Sequence, residues 1–119
     1  EQDLNKGAVY ENVVAQELHA HGYPLYYYNS KKKGELDFVI EHAGQVLPIE
    51  VKSGKDYEKH SALDNVIAVD AYGIQEAYVF TNDNVKVDGN LTYFPIYMVM
   101  FLQEDPIEFI DISPDRFKL

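Results

Sequence analysis

With 119 residues, 46% of them hydrophobic and 25% charged, the chain is long enough for one domain around one core and has the make-up of an ordinary globular protein. No apolar run approaches the roughly 18 residues of a membrane span, no basic-then-apolar leader opens the chain, and the absence of cysteine excludes disulfides and thiolate metal sites. The net charge of −10 argues against a general nucleic-acid binder, whose affinity comes mostly from Lys and Arg.

These features lead us to expect a cytoplasmic protein with no membrane association. The chain opens at Glu1 rather than Met, which suggests a segment of a longer protein. The charge is uneven. Residues 31–60 hold six lysines and six acids, whereas the remainder holds four basic and fourteen acidic residues. The central stretch is therefore the least acidic part of the chain. The Lys31 to Lys33 run reads either as a basic contact or as a solvated loop.

In chain order, Tyr10, Val13, Val14 and Leu18 recur at helical spacing and predict a helix over 8–21, stopped at Gly22. Residues 24–29 predict a strand, with a turn at Lys31 to Gly34. Tyr26 to Tyr28 in that strand are expected to pack in the sheet and core. Residues 35–41 and 45–52 predict a hairpin. Ser61 with Asp64 resembles a capping box and opens a second helix over about 61–72, striped by Leu63, Ile67 and Ala71. A buried strand follows at 76–81. Asp88-Gly89-Asn90 predicts a turn between short strands at 85–87 and 91–94. Pro95 is expected to start a helix through about Leu102, and 107–112 alternates like an edge strand. No repeat, low-complexity tract or linker is visible, so residues 1–119 are expected to form a single domain.

The hairpin holds the candidate site. Leu36, Phe38 and Ile40 alternate on one strand, and Leu47, Ile49 and Val51 on the other. If these six share a buried face, paired residue numbers must sum to an odd value. A two-residue turn at Ala43-Gly44 makes that sum about 87 and sets Asp37 opposite Glu50. Directly opposed side chains have Cβ atoms roughly 4.5–5.5 Å apart, so two carboxylates there need a compensating charge. A divalent cation or Lys52, two residues along from Glu50, would supply it. Glu11 shares a helix row with Val14, Ala15 and Leu18, and a carboxylate bordering that row needs a partner or a path to water. Alternatively, the hairpin acids are the solvated outer face of a sheet. The four histidines, His19, His21, His42 and His60, lack a His-Glu-x-x-His arrangement, which speaks against a zinc enzyme.

Glu11 on a helix, Asp37 within Gly-Glu-Leu-Asp-Phe-Val-Ile, and Glu50-Val-Lys52 resemble the PD-(D/E)XK nuclease superfamily. More narrowly, Lys-Gly-Ala-Val-Tyr-Glu-Asn-Val-Val-Ala-Gln-Glu-Leu, the Asp37 segment, Pro-Ile-Glu-Val-Lys-Ser-Gly and the later Tyr93-Phe-Pro-Ile-Tyr97 look like the domain of unknown function found C-terminal to AAA+ ATPase modules in bacteria and archaea. The similarity covers about residues 6–102. It implies an α/β fold with a restriction-endonuclease-like α-β-β-β-α-β core, a mixed central sheet flanked by helices. It also implies that the chain is the C-terminal part of a longer AAA+ ATPase, since no Gly-x4-Gly-Lys-Ser/Thr loop occurs here. Carried over, Asp37, Glu50 and the Val51 carbonyl would hold Mg²⁺ or Mn²⁺, Lys52 would be the catalytic lysine and Glu11 an accessory acid. The implied activity is phosphodiester hydrolysis on DNA. Leu36 stands where the superfamily's name has Pro. The alternative function is a catalytically silent regulatory or binding module of the ATPase, which the acidity favours, whereas the intact Asp, Glu and Lys favour the enzyme. A third reading is protein recognition through Tyr26 to Tyr28.

Overall fold

The computed structural model describes residues 2–55, 57 and 59–103, with side chains from Gly7 onward. Helix α1 spans Gln2–Ala20. Strands β1 (Tyr26–Ser30), β2 (Gly34–His42) and β3 (Gln45–Lys52) follow, then helix α2 (Ser61–Ile67) and strand β4 (Ala77–Thr81). This is the expected α-β-β-β-α-β order, compatible with a restriction-endonuclease-like core. Strands β5 (Lys86–Asp88) and β6 (Leu91–Pro95) complete a six-stranded sheet in the order β1-β2-β3-β4-β6-β5. The sheet is mixed. β3, β4 and β6 run parallel to one another, and the remaining neighbours are antiparallel. The expected strand at 107–112 lies outside the described residues.

Both sheet faces are covered. On one, Val14 and Leu18 of α1 pack with Phe38, Ile40, Leu47, Ile49 and Phe80. On the other, Leu63 and Val66 of α2 pack with Leu36, Val79 and Tyr93. Helix α1 ends in a Schellman motif: Gly22 N–H donates to the His19 carbonyl and Tyr23 N–H to the Leu18 carbonyl, both at 3.0 Å, with Gly22 at φ 88°. Val13, placed in the apolar stripe by spacing, is 42% exposed, because the buried row runs through Val14 and Leu18.

The β2–β3 register is the expected one, with Phe38 opposite Ile49 and Ile40 opposite Leu47. Ala43 (φ 52°) and Gly44 (φ 77°) form the two-residue turn, both in the left-handed region. Pro48 precedes the first β3–β4 pair, Ile49 with Tyr78, so its missing N–H falls where β3 has no β4 neighbour.

Four expectations need correction. Leu36 does not share a face with Phe38 and Ile40. It packs on the α2 side, because the β1–β2 register shifts between Tyr26 and Tyr28: Tyr26 pairs with Val39 but Tyr28 with Leu36. Two β2 residues, Asp37 and Phe38, therefore oppose the single residue Tyr27, the two-against-one count of a β-bulge. Second, α2 stops at Ile67, and a separate 3-10 turn covers Asp70–Tyr72. β-Branched Val66, Ile67 and Val69 crowd a helical backbone, and Val69 is extended. Third, the cap of α2 is His60, not Ser61, and no side chain caps the helix. Fourth, Ile96–Phe101 is a 3-10 helix, with Pro95 as its extended cap rather than its first helical residue.

Candidate functional site

Asp37 and Glu50 meet where the β2–β3 ladder opens. The paired residues end at Phe38 and Ile49. Beyond them, the two carboxyl groups take over the backbone partners that a continued ladder would use. Val51 N–H donates to Asp37 Oδ2 at 2.8 Å, and Asp37 N–H donates to Glu50 Oε1 at 3.2 Å. Both carboxyl groups thus sit in the gap between diverging strands. The bulge at Asp37–Phe38 lies on the other side of the same strand and re-aims Asp37. Glu50 is 5% exposed, while Asp37, Lys52 and Glu11 are half-buried.

The electrostatics follow from that crowding. Burial pushes the Glu50 carboxyl up to about 7, and the neighbouring Asp37 charge adds to the rise. Burial also raises Asp37, against the Val51 N–H and the Lys52 charge, which favour its ionised form. The two carboxyls share a side-chain hydrogen bond, so they titrate as a pair in which Glu50 holds the proton longer. Lys52 lowers both through its charge. Glu11, on α1, is raised by burial and then by the Asp37 and Glu35 carboxylates, which places it within electrostatic range of Asp37. It does not close a three-ligand cluster: among the described residues no three His, Cys, Asp or Glu side chains gather closely enough to hold a metal ion. The available hard-cation donors are the two carboxylates and neighbouring backbone carbonyls such as that of Val51. An all-oxygen set with two crowded carboxyls, only partly offset by Lys52, suits Mg²⁺ or Mn²⁺ chemically.

Three of the four histidines are held by structural contacts, and His19 is exposed. His21 Nδ1 lies 2.7 Å from the Leu102 carbonyl, His42 Nδ1 2.6 Å from the Tyr23 hydroxyl and His60 Nε2 2.7 Å from the Tyr93 hydroxyl.

Next to Lys52, the carboxyl ends of the parallel strands β3 and β4 open into a polar cleft of about 420 Å³, lined by Ser53, Gly54, Lys55, Tyr57, Asn82 and Asp83. Asn82 Nδ2 donates to the Ser53 carbonyl at 2.7 Å, and the Tyr57 hydroxyl donates to Asp83 Oδ2 at 3.0 Å, so both loops are held. The Asn82-Asp83 pair follows the strand expected at 76–81 and belongs to none of the motifs read from the sequence. The usable signal was its position, since ligands of open α/β sheets bind outside the carboxyl ends of strands.

The fold and site define an α/β domain with a paired-carboxylate notch and a lysine at the open end of its central hairpin. The chain belongs to the DUF4143 family, a domain of unknown function, whose model matches residues 6–99. Comparison with curated proteins and with solved structures found no significant match.

Proposed function

We propose that this domain is a nuclease-like phosphodiesterase of the PD-(D/E)XK type, acting on DNA with Mg²⁺ or Mn²⁺ and joined in its polypeptide to an AAA+ ATPase module. The observation that carries the reading is the Asp37–Glu50 pair: two carboxyls crowded into an opened ladder, with Glu50 raised to about 7 and Lys52 beside them. Such a pair is costly unless a cation relieves it. Asp37, Glu50 and the Val51 carbonyl would hold the ion. When bound, it would lower the pKa of a coordinated water and neutralise charge on the phosphate. Lys52 positions the attacking oxygen and stabilises the charge that develops on the phosphate. Glu11, raised by its surroundings, is available as an accessory proton acceptor.

A second reading, a catalytically silent regulatory or binding module of the ATPase, is favoured by the −10 net charge, all of which lies outside residues 31–60. Metal binding without cleavage would select it.

The test is titration calorimetry with Mn²⁺. Wild type should bind, and Asp37→Ala or Glu50→Gln should weaken binding at least tenfold, about 1.4 kcal/mol. Lys52→Ala should retain or strengthen binding, because it removes a competing cation. Equal binding by wild type and Asp37→Asn would sink the metal site.

A further inference from the structure

The three tyrosines of β1 do not share one environment. Tyr28 packs against the α2-side core and its hydroxyl lies 3.3 Å from that of Tyr72. Tyr26 and Tyr27 are 53% and 71% exposed. The expectation that all three pack in the sheet and core holds fully for Tyr28; Tyr27 touches Phe38 but stays exposed, and Tyr26 is exposed. β1 is the edge of the sheet, and Tyr27 is the residue that faces the bulge of Asp37 and Phe38. Its ring rests against Phe38 at 5.9 Å between centroids, one residue along the chain from the site carboxylate. An exposed aromatic side chain thus flanks the notch, anchored on a core phenylalanine.

The loop that follows β1 is Lys31-Lys32-Lys33, and it is fixed in place. Ser30 Oγ accepts the N–H groups of both Lys32 and Lys33 at 3.3 Å. Asn65 of α2 donates from Nδ2 to the Lys33 carbonyl at 3.3 Å. Gly34, at φ 98°, closes the loop where a Cβ would come within 2.8 Å of Ala62 Cβ, so the turn is pressed directly onto α2. Lys31 and Lys32 are exposed. Because β2 and β3 are antiparallel, this turn lies at the same end of the sheet as Lys52.

We propose that Tyr27, together with the fixed Lys31–Lys33 turn, forms a docking arm for single-stranded DNA that leads into the Asp37–Glu50 notch; Tyr26 pairs with Val39 of the α2-side core and lies on the other face of the strand. The proposal rests on the phosphodiester reading for its direction, although binding to the arm needs neither metal nor turnover. Charge complementarity selects the occupant: lysines take the phosphates, and the exposed Tyr27 ring stacks on an unpaired base irrespective of sequence. The arm is small. A five-residue strand spans about 17 Å, and its basic turn is flanked by Glu35 and by an acidic remainder. That footprint suits a single strand and leaves no broad basic face for a duplex.

The experiment uses the 119-residue chain in EDTA at low salt, with fluorescence anisotropy of a labelled oligothymidine of about 15 nucleotides and of a duplex of equal length. The single strand should bind more tightly than the duplex. Tyr27→Ala should weaken it about tenfold, whereas Tyr27→Phe, which keeps the ring, and Tyr26→Ala, on the other face, should bind like wild type. Thermal melting of each variant checks folding, which these exposed positions should leave intact. Asp37→Asn should retain oligothymidine binding while losing Mn²⁺ binding, so failure of the metal site and failure of the arm register separately. Duplex binding as tight as single-strand binding, or a folded Tyr27→Ala variant with unchanged affinity, overturns the proposal and leaves the lysines as guards of an exposed sheet edge. Equal losses in Tyr27→Phe and Tyr27→Ala overturn the stacking role.

Discussion

At the residue scale, Glu50 sets the pH behaviour. Its carboxyl is raised from 4.5 to about 7, first by burial and then by Asp37. A group raised in the folded state favours folding when protonated. Its contribution is therefore complete below about pH 4.5 and is lost as pH climbs through 7. Glu50→Gln keeps the neutral form at every pH. Above pH 7, without metal, this variant should be more stable than wild type by on the order of 1–3 kcal/mol, and the advantage should vanish near pH 4. Urea unfolding of both proteins across pH 4–8 in EDTA measures the difference (pH window from the raised Glu50 value). An advantage that is constant with pH would mean that Glu50 does not titrate in this window. Adding Mn²⁺ should reverse the ranking, since only wild type gains from binding.

At the element scale, the β2–β3 hairpin is built correctly but not optimally. Ala43 holds φ 52° in a turn that needs positive φ at both central residues. An L-residue with a Cβ resists that conformation, whereas Asn tolerates it through local hydrogen bonding. Ala43→Asn should raise stability by on the order of 1 kcal/mol, read as a higher urea midpoint at unchanged slope. No change in midpoint would show that the turn already relaxes around alanine. The site lies at the opposite end of this hairpin, where the ladder opens, so the substitution should leave Mn²⁺ affinity untouched. The opened end and the bulge are linked. β2 gains a residue against β1 on one side and loses pairing to β3 on the other, and Asp37 sits at both events. The backbone N–H groups freed there are the ones that the two carboxyls occupy.

At the scale of the whole molecule, charge sets the limits of function. Positive charge near the site comes from Lys31, Lys32, Lys33, Lys52, Lys55 and Lys59, against a net −10 for the chain. Each phosphate neutralised contributes about −0.7 to the log-log salt slope on a single strand and about −0.9 on a duplex. DNA binding should accordingly be weak, with a slope of only a few units. Replacing Lys31, Lys32 and Lys33 by Ala should reduce the slope by up to about 2. Tight binding that ignores both salt and the triple substitution would overturn this electrostatic account. No helix among the described residues is long and apolar enough to cross a membrane.

The sequence by itself determined the succession of elements, the two-residue turn and the β2–β3 register. Apolar alternation reports which side chains are buried, and a one-residue slip would expose a whole set of them. It therefore placed Asp37 opposite Glu50 and Lys52 beside them. It could not say against which layer each side chain is buried, because both faces of this sheet are covered and Leu36 alternates equally well into either core. That choice was made by the pairing of β1 with β2, a tertiary contact whose extra residue turns Leu36 to α2 and aims Asp37 into the notch. The same pairing at a sheet edge separates Tyr28, which is covered, from Tyr26 and Tyr27, which are not. Three identical side chains in a row hold no local signal of that difference; it arises only from what packs over them.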